Sequence, residues 1–209
     1  MKLLTNLIFI FLLESLGISK TIYPDIWEKM MSQKDWESIT ETEKYRLSKF
    51  QFDGFSVPAF KIEMILKAHP QTILDVAWNV AKYPESLPSA YITEAGIYQN
   101  KDSTQTAWQV MDVPFLAPRL YQYQHVRKKH RVDWYNTVFK QHIDENILTA
   151  STNVGSWSLS IKGEENVLTY IVLTDPGGLV PAWIIKKARM KYLPQMLMEA
   201  ENSALKLKK

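Results

Sequence analysis

The sequence predicts an α+β protein in which one antiparallel β-sheet is covered by a long C-terminal helix, and three observations predict it. Stretches rich in β-branched and aromatic residues follow one another through the middle of the chain with short polar links between most of them. Such links pair strands antiparallel, because a parallel pair needs a long crossover. The last strand-like stretch, Val167–Thr174, then stops at Asp175-Pro176-Gly177-Gly178, where proline removes a donor and the glycines reach backbone angles other residues avoid. Beyond it, Leu179, Val180, Trp183, Ile184, Leu193, Met196, Leu197, Ala200 and Ala204 recur at intervals of three and four, which is one apolar stripe on a helix. A single sheet must cover its apolar face, and this helix is the natural cover.

Taken in order, the segment from Thr21 to Lys44 reads as helix, with Ile26, Met30 and Met31 turned inward. Tyr45–Phe52 and Val57–Ala68 read as strands around Asp53-Gly54. Ile73, Leu74, Ala77, Trp78 and Ala81 then fall at helical spacing, and Pro84 and Pro88 close that segment. Five strands follow: Tyr91–Tyr98, Thr104–Val113, Arg119–Lys128, Val132–Gln141 and Trp157–Ile161. Val167–Thr174 completes the run. The terminal helix starts near Leu179, accepts Pro181 in its first turn and bends at Pro194. No internal repeat or inter-domain linker interrupts the chain.

Composition narrows the class. At 209 residues the chain is long enough for one domain with a real core. The 46% hydrophobic and 22% charged fractions are those of a globular protein, so disordered and fibrous classes fall away. A net charge of +3 is too small to imply nucleic acid without a concentrated patch. Cysteine is absent, which excludes disulfides and thiol catalysis. Residues 1–19 differ in kind: Lys2, an apolar run from Leu7 to Leu13, then small Ser15, Gly17 and Ser19 make the layout of a secretory signal peptide cleaved near Gly17 or Ser19. The run is shorter than the about 20 apolar residues of a membrane span. The expected organisation is therefore a signal at 1–19 and one domain at 20–209, exported to the periplasm or secreted.

Four stretches, Asp35–Phe50, Val57–Ala90, Thr106–Tyr123 and Gly155–Ala188, together resemble a known family, the START (StAR-related lipid transfer) domains of the helix-grip, Bet v 1-like superfamily. "DWESITETEKYRLSKF" resembles the opening segment, and "VPAFKIEMILKAHPQTILDVAWNVAKYPESLPSA" the strand and helix that follow it. "TAWQVMDVPFLAPRLYQY" resembles the strand carrying the family's Arg-Asp pair, and "GSWSLSIKGEENVLTYIVLTDPGGLVPAWIIKKA" the closing segment with Asp-Pro-Gly-Gly, Pro and Trp in order. The likeness runs from about Trp27 to the C-terminus. Two departures stand out: the Arg-Asp pair is here Arg119-Leu120, and Glu85-Ser86-Leu87 stands where the family often has a Trp. The resemblance implies a helix-grip fold, a curved antiparallel sheet wrapped around the C-terminal helix, with an internal hydrophobic cavity that binds or shuttles a lipid or other apolar ligand. Hiding a chain from water is worth about 0.8 kcal/mol per methylene.

Period-two reading nominates the cavity walls. Tyr121, Tyr123 and His125 share a face with Arg119; Trp134 and Asn136 share one with Val132; Trp157, Leu159 and Ile161 share another; Trp183 and Met190 come from the helix. The same side chains would equally fill a solid core. Arg119 either meets a ligand carboxylate, hydroxyl or phosphate or pairs with a nearby acid. His125 either donates to a ligand oxygen, titrates in an acidic compartment, or is a core or rim histidine. The basic run His125–Arg131 and the tail Lys206, Lys208 and Lys209 either touch an anionic membrane transiently or form a solvated hairpin tip and a helix end.

No nucleophile elbow, dinucleotide fingerprint or phosphate loop occurs, and His69, His125, His130 and His142 lack zinc-site spacing. No catalytic residue, metal or cofactor is assigned. The expected function is an exported START-like protein that binds a hydrophobic ligand and carries or senses it. The alternatives are a cyclase-like or hydrolytic enzyme on the same fold, and a module that holds another protein's apolar segment.

Overall fold

The computed structural model of the chain describes residues 23–137, 147–178, 180 and 188–207. The signal reading at 1–19 and the helical positions Leu179, Trp183 and Ile184 lie outside these residues.

Helix α1 covers only Asp25–Ser32, behind Pro24, and Gln33 is already extended. The rest of the expected N-terminal helix is strand β1, Glu37–Glu41, which pairs with β2, Tyr45–Phe50. β3 is Ala59–Leu66; alternation buries Phe60, Ile62, Met64 and Leu66 on one face, and Ala59 is buried on the other. His69 then caps helix α2, Pro70–Trp78, its Nδ1 accepting from the Gln71 N–H at 3.3 Å, with Pro70 in the tolerated first turn. Short helical turns at Val80–Lys82, Tyr83–Ser86 (α3) and Pro88–Ala90 lead to β4, Ile92–Lys101. β5 is Thr104–Met111, β6 Arg119–Lys128, β7 Arg131–Asn136, β8 Leu148–Thr149, β9 Thr152–Lys162 and β10 Glu165–Asp175.

These strands make one curved, open sheet in the order β1-β2-β3-β10-β9-β7-β6-β5-β4. All of these pairings are antiparallel; the exception in the sheet is β8, which lies parallel to the start of β6, Leu148 opposite Arg119 and Thr149 opposite Leu120. Two strands slip register along their lengths, β1 between Ser38 and Thr40 and β4 at two places, Ile92 to Glu94 and Ile97 to Gln99. Both are outermost strands.

The turn after β10 folds as its sequence demands. Gly177 and Gly178 have φ of 71° and 68°, angles that a β-carbon disfavours, and the Asp175 carboxylate accepts the Gly177 N–H at 2.9 Å. The chain re-emerges in a π-helical turn, Ala188–Tyr192, and continues as α4, Leu193–Lys206. Pro194 does not kink the middle of a helix. It stands in the first turn of α4, where a helix tolerates proline because that N–H has no acceptor within it, beside the wider turn.

The sheet separates two apolar layers. Its concave face, α2, the short turns and α4 enclose the main core, including Ile62, Leu74, Leu168 and Leu197. α1 packs on the other face, where Met30 meets Val57, Val154, Ile171 and Leu173. α4 does not cover the concave face alone: α2 lies beside it, and both belong to the same core. Glu201, 2% exposed, ties α4 to the sheet side by accepting the Lys67 N–H at 2.6 Å and the Lys44 ammonium at 2.5 Å.

Candidate functional site

Between the concave sheet and the helices lies a cavity of about 240 Å³. β6 forms its floor, because alternate residues of a strand share a face. Arg119, Tyr121, Tyr123 and His125 all line it. Six residues at about 3.4 Å each separate the two ends of this row, so the floor runs about 20 Å. Register brings in the neighbours: Gln109 lies opposite Tyr121, Trp134 opposite His125, Gly155 opposite Trp134 and Trp157 opposite Tyr170.

The His125 end is deep and aromatic. Tyr170 stacks on Trp134 with ring centroids 5.5 Å apart and meets Trp157 edge-on at 4.9 Å. Trp134 can lie flat there because residue 155 is glycine. A β-carbon on Gly155 would stand 2.3 Å from both the Ile171 carbonyl oxygen and the indole of Trp134, closer than any real contact. The Trp134 N–H donates to Asn153 Oδ1 at 3.0 Å, and the Thr174 hydroxyl donates to the same oxygen at 3.1 Å. Asn136 supports the arrangement by accepting the Asn153 N–H.

His125 is 2% exposed, and burial depresses its pKa to about 3. The Gln105 amide nitrogen approaches its Nδ1 at 3.0 Å and donates to the Trp78 carbonyl at 2.6 Å. Nδ1 is therefore an acceptor and the proton of the neutral ring sits on Nε2. The Tyr123 hydroxyl donates to Gln109 Oε1 at 2.8 Å. Burial also holds the Tyr83, Tyr121, Tyr123 and Tyr170 hydroxyls well above the usual phenol range, so all stay protonated.

The Arg119 end lies under the loop that joins β5 to β6. Val113, Leu116 and Ala117 of that loop line the cavity beside Pro176 and Val180 of the chain after β10. Arg119 is 5% exposed. Its Nε donates to the Pro176 carbonyl at 3.2 Å and its Nη1 to the Ala117 carbonyl. Among the described residues it pairs with no carboxylate. Asp175, next to Pro176 in the chain, accepts from the Gly177 N–H and the Ser56 hydroxyl, and its charge reaches Tyr121 as that of Arg119 does.

Of the ten residues nominated from sequence, Arg119, Tyr121, Tyr123, His125, Trp134 and Trp157 line the cavity. Trp183 lies outside the described residues. Three do not line it. Asn136 supports Asn153 from behind. Leu159 packs against the edge of the core, and Ile161 on the same face is 76% exposed, because β9 runs out beyond the helices that cover it. Met190 is 41% exposed in the π-helical turn, where an extra residue per turn shifts the helical phase. Residues not singled out from sequence complete the wall, among them Tyr83, Gln109, Asn153 and Tyr170, and Leu193 and Met196 of the helical stripe join them. For Tyr170 the signal was present, since Leu168, Tyr170 and Val172 alternate with Ile171 and Leu173; for Tyr83 the chain shows only a one-turn helix.

The basic run ends at the other tip of β6. Arg127 pairs with Asp75, Arg131 Nε donates to the buried Asp133 at 2.9 Å, and the Lys128 ammonium lies 4.9 Å from the Tyr23 ring. No three His, Asp or Glu side chains gather into a metal site among the described residues, and no described helix is long and apolar enough to cross a membrane.

No family model and no curated protein matches the sequence. Solved structures do match the architecture. The STAR-related lipid transfer protein of Xanthomonas axonopodis superposes with a TM-score of 0.71 at 16% identity, covering 81% of this chain and 98% of its own. Human STARD10 gives 0.73 at 14% identity, covering 90% and 82%. The fold is that of the START domains. The Zhui aromatase/cyclase of Streptomyces sp. R1128, a TM-score of 0.54 at 12% identity over 72% of this chain and 95% of its own, shares the helix-grip architecture. Against the START fold, the cavity occupies the space between the curved sheet and the helices, and the row from Arg119 to His125 runs along it.

Proposed function

We propose that the protein binds a lipid or other hydrophobic small molecule in this cavity and carries or senses it. One observation carries the reading: an internal space of about 240 Å³, walled by Tyr, Trp and aliphatic side chains, in a fold shared with lipid-transfer proteins. Apolar walls shield a ligand from water and a few polar groups orient it.

We read the role as binding without turnover. Tyr123 is engaged by Gln109 and His125 by Gln105, so these polar groups hold the wall and each other. A cyclase-like activity would instead show as conversion of a polyketide-type substrate that His125→Ala abolishes. The layout of residues 1–19 supports export, to the periplasm or outside the cell, and N-terminal sequencing of the mature chain checks it. Transient contact with an anionic membrane is supported by Lys129 and His130 at the β6–β7 tip and by the terminal lysines.

Native mass spectrometry on gently purified protein, with a neutral naphthylamine dye as a second probe, tests the main reading. A reproducible extra mass that extracts into organic solvent, or saturable dye uptake, is expected. A clean unliganded mass with no dye uptake sinks it.

A further inference from the structure

Taking the cavity as a ligand site, as proposed above, we infer that its ligand is an apolar monocarboxylate whose carboxylate is held by Arg119 and whose apolar part lies along the aromatic end. A guanidinium carries five N–H donors. Two of those on Arg119 are taken by the carbonyls of Pro176 and Ala117, which leaves three. Carbonyls accept hydrogen bonds without neutralising charge. A buried cation with no counter-charge is costly, and an anion that arrives in hydrogen-bonded geometry offsets that cost.

The surroundings fit a single negative charge. Arg119 is the one Lys, Arg, Asp or Glu among the described residues that line the cavity. The remaining donors include both of those on Nη2, which no described group takes. Tyr121, two residues along the same face and about 6.8 Å away along the strand, has a hydroxyl with no partner among the described residues and lines the same space. Arginine and phenol together suit the two oxygens of a carboxylate. A phosphate monoester, with close to two charges, would leave one unmatched.

Binding of dodecanoate, dodecanol and methyl dodecanoate to the full chain at neutral pH tests this. The acid is expected to bind about 10–100-fold more tightly than the alcohol or ester, the margin of charge-assisted hydrogen bonds. Arg119→Gln should erase that margin while the alcohol still binds, and Arg119→Lys should keep part of it. Equal binding of acid, alcohol and ester to the native protein, or a margin that survives in Arg119→Gln, overturns the assignment and leaves the hydrophobic cavity standing. Failure of all three to bind overturns both readings. The acid–ester comparison needs no variant, so it decides even where Arg119→Gln does not fold.

Discussion

Gln105 and His125 meet side by side in the core, the amide nitrogen 3.0 Å from the imidazole Nδ1, and that contact fixes the ring as a neutral acceptor. His125 therefore contributes to a pH-dependent stability. Its folded pKa is depressed to about 3 from an ordinary value near 6.5, so the unfolded chain binds the proton first as pH falls. Stability should be full above about pH 6.5 and should fall as pH drops from there toward 3, by about 1.4 kcal/mol per unit at most. Urea midpoints measured between pH 4 and 7.5 check this, and His125→Phe should flatten the slope over that range.

Gly155→Ala should destabilise the protein by roughly 1–3 kcal/mol, the usual range for overpacking. The new β-carbon meets a carbonyl oxygen of β10 and the Trp134 ring at 2.3 Å, and the backbone partner cannot rotate away. Near-ultraviolet circular dichroism should weaken as Trp134 leaves its stack with Tyr170, and thermal unfolding should report the loss of stability.

Lys44 and Glu201 form an ion pair whose partners are unequally exposed, 36% and 3% for their side chains. Lys44→Ala leaves the buried Glu201 carboxylate without its counter-charge and should cost about 1–3 kcal/mol. Glu201→Ala should cost roughly 1–3 kcal/mol, because it also leaves the Lys67 N–H without its acceptor. Losses well under 1 kcal/mol for both variants in chemical denaturation would contradict this reading.

Val172 faces the cavity from the C-terminal half of β10. Val172→Phe should reduce saturable uptake of the neutral dye several-fold while costing about 1–3 kcal/mol of stability. Unchanged dye capacity in a folded variant would place the dye elsewhere.

The floor of the site was legible because β6 keeps strict alternation over Arg119, Tyr121, Tyr123 and His125, and strands on both sides bury the same face. Period two names a face without saying how far the cover above it extends, and so Leu159 and Ile161 were read as wall although β9 outruns the helices. Met190 turns to solvent because the π-helical turn departs from the 3.6-residue period that would carry it inward. β1 was absorbed into a helix, its five residues too few and too mixed to show a period against the apolar spacing of α1. The parallel bridge of β8 is two residues long, below the reach of any periodic signal. Tyr83 and Asn153 reach the cavity only through tertiary pairing, which no local pattern encodes.

The slips of register in β1 and β4 have a bearing on how the molecule behaves in a crowd. An open sheet ends in two rows of backbone donors and acceptors, and a straight row is a template on which another extended chain can grow. Here both rows are broken: one bulge interrupts β1, two interrupt β4, and Glu37, Glu41, Glu94 and Lys101 place charge along them. A neighbouring copy finds no uninterrupted ladder to extend, so the sheet can stay open at both margins without inviting fibrils.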